Sequence, residues 1–159
     1  MKSIFKVLLC ICALSVSGAG AVHAGPMEDG VAAFYRDDYG IAFNLLRPFA
    51  DRGEPIAQSL IGAMYSQGNG APRDIAEAGK WFQKSANQGE VVAQFMLGVM
   101  YANGDGVPVN YVQSYKWYNL AAAQGNADSK TQRAIIEKKM SREQIAEAQK
   151  LSAEWKPTK

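Results

Sequence analysis

Two stretches decide the fold: AQSLIGAMYSQGNGAPRD, residues 57–74, and AQFMLGVMYANGDGVPVN, residues 93–110. They lie 36 residues apart and align without a gap. Ala57, Gly62, Met64, Tyr65, Gly68, Gly70 and Pro72 fall on Ala93, Gly98, Met100, Tyr101, Gly104, Gly106 and Pro108. The register continues downstream: Lys80, Trp81, Ala86, Gln88 and Gly89 fall on Lys116, Trp117, Ala122, Gln124 and Gly125. A fixed period of this length marks an array of like supersecondary units, each too small to bury its own apolar face.

Each unit is expected to hold two antiparallel helices. From Ile56 to Gln67, residues Ala57, Leu60/Ile61 and Met64/Tyr65 recur at helical spacing and share a face. Gly68-Asn69-Gly70 stops that helix, because glycine accepts the left-handed conformation of a C-terminal cap. Pro72 fixes the turn, and Asp74 is placed to accept from free N–H groups of a second helix, about Ile75 to Gln88. That helix carries Ala78, Trp81/Phe82 and Ser85/Ala86 inward, and Gly89 ends it. Asn110 caps the corresponding helix of the next unit. Gly62 and Gly98 sit in mid-helix, where glycine costs ~1 kcal/mol against alanine. Close helix–helix approach would compensate, with Ala78 and Ser114 as small partners. Trp81 and Trp117 are expected to pack between units.

A weaker copy lies upstream. Asp38, Ala42, Ala50 and Gly53 precede Asp74, Ala78, Ala86 and Gly89 by 36 residues. Here Phe34 to Asp38 replaces the Gly-x-Gly loop, and Asp is expected to cap the next helix. At the other end, Ala127 to Lys139 is a further first-type helix, with Ala134, Ile135 and Met140 as inner contacts. Ser141-Arg142-Glu143-Gln144 has the form of a capping box, and Ile145, Ala148, Leu151 and Trp155 follow at helical spacing. This last helix is expected to cover the open end.

The first 24 residues are of another kind. Lys2 and Lys6 form a basic start, Val7 to Val16 is an apolar run, and Val22-His23-Ala24 has the small-residue spacing of a cleavage site. This is the pattern of a secretory signal peptide. The run is short of the ~18–20 residues that span a bilayer. The expected organisation is therefore 1–24 as signal peptide and 25–159 as one array. Its units are about 27–54, 55–90 and 91–126, with a C-terminal cap at 127–159. The exported chain, periplasmic or secreted, would keep no stable membrane anchor.

Cleavage after Ala24 would remove Cys10, Cys12 and His23, the only cysteines and histidine among the 159 residues. Serine or cysteine nucleophiles activated by histidine are then excluded, as are His/Cys metal sites. No catalytic, cofactor or metal residues are assigned. Residues 25–159 hold 15 basic and 15 acidic groups, a balance that does not suggest nucleic acid as partner. The charge is uneven: residues 130–159 are net +4 and residues 25–129 net −4. The basic end reads as a solvated face.

The pattern A-x-x-x-[LI]-G-x-M-Y-x-x-G-x-G-x-P-x-[DN], followed by W-[FY] and A-x-Q-G, resembles the Sel-1-like repeat, a relative of the tetratricopeptide repeats. The resemblance is carried by Ile56–Gln124 and extends to Met27–Gly53. It implies an all-α, right-handed α-solenoid of helix pairs that binds a protein or peptide. Many bacterial members are secreted or periplasmic. Some cysteine-rich members have been linked to penicillin binding or hydrolysis. Here the cysteine pairs are missing, and the Ser-x-x-Lys of a serine β-lactamase occurs only as Ser3–Lys6. No enzymatic activity is expected.

In such a solenoid the first helices line the concave face. Helical spacing leaves Ser59, Ala63 and Ser66 free on one unit and Phe95, Val99 and Ala102 on the next. The tetratricopeptide alignment adds Val31, Phe34 and Tyr35. These nine residues are the expected protein-binding strip, with aromatic side chains as anchors.

Overall fold

The structure is a computed structural model that describes residues 25–158. The expected signal peptide and its cleavage site lie outside the described residues. Eight helices and no strand occur among them: α1 (Pro26–Tyr35), α2 (Tyr39–Asp51), α3 (Pro55–Gln67), α4 (Ile75–Asn87), α5 (Val91–Asn103), α6 (Tyr111–Ala123), α7 (Ala127–Glu137) and α8 (Arg142–Glu154). The pairs α1/α2, α3/α4 and α5/α6 form three units, and the first helix of each unit packs on the second helix of the unit before. First helices also touch each other directly, α1 on α3 and α5 on α7. The array therefore bends with its first helices on the inner side.

The local chemistry of the repeat explains the elements. Asp74 Oδ1 accepts from the Glu77 N–H at 2.9 Å, and Asn110 Oδ1 from the Gln113 N–H at 3.0 Å. Gly68 and Gly104 end α3 and α5 with φ of 74° and 81°. Gly70 presses against the Tyr39 carbonyl and Gly106 against the Ile75 carbonyl, which begins the second helix of the preceding unit. A side chain at either glycine would push the loop off its neighbour, so the second glycine of each loop serves stacking.

Gly62 and Gly98 admit the rings of Phe82 and Tyr118, not chiefly the small residues expected. A Cβ would lie 3.0 Å from the Phe82 ring and 2.5 Å from that of Tyr118. Ser114 does take part, donating Oγ to the Gly98 carbonyl at 2.6 Å. In the first unit Gly30 meets Leu46, which stands 36 residues before Phe82. The same contact thus recurs in all three units.

Trp81 and Trp117 are buried, 3% and 2% exposed. Trp81 lies under the Arg47 guanidinium of the preceding unit, 5.1 Å from its ring centre. Arg47 also holds both carboxylate oxygens of Asp51 at 3.0 Å and donates to the Tyr65 hydroxyl at 3.4 Å.

Several terminal features differ from expectation. The first turn is shorter: α1 runs to Tyr35, and Arg36 to Asp38 make the connection. Asp38 makes no side-chain cap to α2, and its carboxylate accepts from Arg36 at 3.3 Å. In α7 the inward residue is Ile136, 4% exposed, whereas Ala134 is exposed and Ile135 is 47% exposed. The capping box of Ser141 and Gln144 is present. However, α8 makes its main contact with α6 and does not cover the open side of α7. Trp155, beyond α8, meets Trp117 edge to face at 6.5 Å, and the Thr158 N–H donates to the Asn87 carbonyl at 2.8 Å. The chain end is thereby strapped back onto the second unit.

Candidate functional site: the inner face of the first helices

The nine expected strip residues do not form one continuous surface. Ala63 is 0% exposed and Ser59 4%, so neither can face a partner. Both lie on α3, the middle first helix, which α1 touches and α2 and α4 flank. Their short side chains cannot reach past such neighbours. Phe34 is also buried, 7% exposed, with its ring 5.6 Å from those of Tyr35 and Tyr39. Its place is the core, not the free face. Ser66 is half-buried and donates its hydroxyl to the Ala63 carbonyl at 2.8 Å.

Two segments remain partly open. On α1 these are Val31 and Tyr35. Burial raises the Tyr35 pKa, and the Glu90 carboxylate at the start of α5 raises it further. The phenol therefore lies within electrostatic reach of the start of the third unit. On α5, Phe95, Val99 and Ala102 are half-buried, and Phe95 packs at 5.7 Å against Tyr118. Phe95 thus has a structural role as well as an exposed edge.

The strip continues onto α7, at a position where helical spacing predicts an inner contact. Thr131, Ile135 and Lys138 follow Phe95, Val99 and Ala102 by 36 residues, and all three are exposed. The signal was present in the repeat register, which aligns Ile135 with Val99. The surface so assembled is apolar along α5 and gains cationic groups along α7.

No group of three or more His, Cys, Asp or Glu able to hold a metal occurs among the described residues. No helix among them is long and apolar enough to cross a membrane. The described residues offer an elongated contact surface, with no cluster of His, Cys, Asp or Glu set to hold a metal among them.

Comparison with known proteins accords with this geometry. A family model for the Sel1 repeat matches residues 55–90 and 91–126. Among solved structures, the chain is similar to c5321, a protective antigen of uropathogenic Escherichia coli strains displaying an SLR fold. Identity is 32% and the TM-score 0.77, over 82% of this chain and 29% of that one. It therefore spans under a third of that antigen's length. It is also similar to a Sel1 repeat protein from Oxalobacter formigenes, with 34% identity and a TM-score of 0.62, over 69% of this chain and 85% of that one. No curated protein matches the chain. Sel1 repeat proteins are generally protein-interaction modules. With an all-helical array, two matched repeats and a 34% identical relative covered over 85% of its length, the chain belongs to the Sel1 repeat family.

Proposed function

We propose that this chain is an exported, non-enzymatic interaction module, an adaptor, scaffold or regulator that holds a peptide or protein segment on the inner face of its first helices. The observation that carries this reading is the partly open apolar strip of Phe95, Val99 and Ala102 on α5, continued by exposed Ile135 on α7. Ile135 is 47% exposed, so the fold gains little from it there. Export rests on the pattern of residues 1–24. The β-lactamase alternative has no support, since the one Ser-x-x-Lys lies within that leader.

The immobilised protein should retain a partner from an envelope extract of its own cells. The Ile135→Ser variant should retain less while melting as wild type does. Equal retention by wild type and variant would remove α7 from the site. Amino-terminal sequencing of exported material tests the leader: a start at Gly25 is expected, and retention of Met1 to Ala24 contradicts export by cleavage.

A further inference from the structure

We infer that the two ends of the array dock on each other, head to tail, so that the partner of each end is a second copy of this chain. The outer side of the first unit is where units 2 and 3 each meet a preceding unit. Aligning Gly30 with Gly62 and Gly98 puts Asp29 where those units have Ile61 and Leu97, 0% and 2% exposed. On α2, half-buried Leu45 stands where they have Trp81 and Trp117, and Ile41, one turn away, is 57% exposed. This end thus presents an apolar patch edged by exposed Glu28 and Asp29.

The other end is an unpaired first helix. α7 begins at the N-cap Asn126, in register with Glu90 of α5, but no second helix covers it because α8 packs on α6. Ala134, in register with Gly98, is exposed where Gly98 meets the Tyr118 ring. Beside it lies Ile135, 47% exposed, with Lys130, Lys138 and Lys139 exposed around the patch. Ile41 and Ile135 are two of only four exposed large hydrophobic residues among those described, and they mark opposite ends.

The charges match the same pairing. Residues 25–54 hold six acidic and three basic groups, and residues 127–158 hold seven basic and five acidic. Opposite signs favour end against opposite end and disfavour like ends meeting. Such a contact joins different surfaces, so it extends into open chains of copies unless its rotation closes a ring. Asp29 replaces the apolar stacking residue of the inner units, so attraction depends on charge and weakens as salt screens it.

Light scattering of the purified protein over a range of concentrations tests this. The weight-average mass should rise with concentration at low ionic strength and fall to the monomer's at high ionic strength. The variant Glu28→Lys with Asp29→Lys makes both ends basic, and Lys130→Glu with Lys138→Glu makes both acidic. Each should remain monomeric alone, with a helical circular dichroism spectrum unchanged from wild type. An equimolar mixture should associate again, since each end then meets its complement. A wild-type mass independent of concentration at low salt overturns the inference. So does association that persists in both variants alone, or a mixture that stays monomeric.

Discussion

The Gln88 side-chain amide donates to Gln58 Oε1 at 2.9 Å and to the Gly53 carbonyl at 2.8 Å. Gln58 in turn donates to the Ala50 carbonyl of the preceding unit at 3.1 Å. One unit later, Gln124 donates to Gln94 and to the Gly89 carbonyl, and Gln94 to the Ala86 carbonyl. Gln58 and Gln94 are buried, 4% and 0% exposed. The A-x-Q-G end of each second helix is therefore a clamp on the carbonyls that end the unit before. The Ala50 and Ala86 carbonyls also accept from the Gly53 and Gly89 N–H groups, whereas the Gly53 and Gly89 carbonyls, beyond the helix ends, take their donors from Gln88 and Gln124.

Removing Gln88 takes the donor away from Gln58 Oε1, which belongs to a buried side chain. Gln88→Ala should destabilise the fold by ~1–3 kcal/mol. Because both glutamines share one network, Gln58→Leu combined with Gln88→Ala should cost less than the sum of the single changes. Urea unfolding of the four proteins gives the coupling, and strict additivity would show that the two residues act separately.

The glycine–ring contacts predict an order. Gly98→Ala drives a Cβ to 2.5 Å from the Tyr118 ring and should destabilise more than Gly62→Ala, whose Cβ meets Phe82 at 3.0 Å. A buried ring has nowhere to move in a close-packed interior. Gly40 in α2 meets nothing within 4 Å, so Gly40→Ala should leave stability unchanged or raise it by up to ~1 kcal/mol. Melting temperatures that rank otherwise would place these helices differently.

Much of this was legible from the repeat. The 36-residue register located α3 to α6, and the capping side chains Asp74, Asn110 and Ser141 were readable from their neighbours. The residues that misled are those set by distant parts of the chain. Ser59 and Ala63 are closed off by flanking helices, which their own helix does not reveal. Ile135 and Ile136 are adjacent, and helical spacing within α7 does not separate them, whereas the repeat register aligns Ile135 with half-buried Val99 and Ile136 with buried Met100. The return of Trp155 to Trp117 depends on α8 choosing α6, a tertiary preference with no local mark.

That return should contribute to stability. Trp155→Ala should lower the melting temperature, the ring pair alone contributing ~0.5–1.5 kcal/mol beyond its buried area. Trp117→Ala, which empties a fully buried site, should cost ~3–5 kcal/mol. If the two variants melt together at the wild-type temperature, the strap does not form in solution.

Alkaline pH should weaken the fold through Tyr118. Burial raises its pKa above the ordinary 10.0, so the folded state keeps the proton that the unfolded state releases. The associated stability is fully present below pH 10 and is lost as pH rises through the folded value. Tyr118→Phe should fold well, since Phe82 fills the equivalent place, and its melting should fall less steeply above pH 10 than that of wild type. Parallel pH profiles would mean that the hydroxyl is hydrated.

The proposed partner lies on the inner face of the first helices. Photo-crosslinking in the living cell, with the reactive residue placed in turn at Val99, Ile135, Ala76 and Lys80, tests it most directly. Val99 and Ile135 lie on that face, and Ala76 and Lys80 are exposed on α4, a second helix. One protein other than a second copy of this chain should be captured from both Val99 and Ile135 and from neither position on α4. Capture from α4 alone would contradict it.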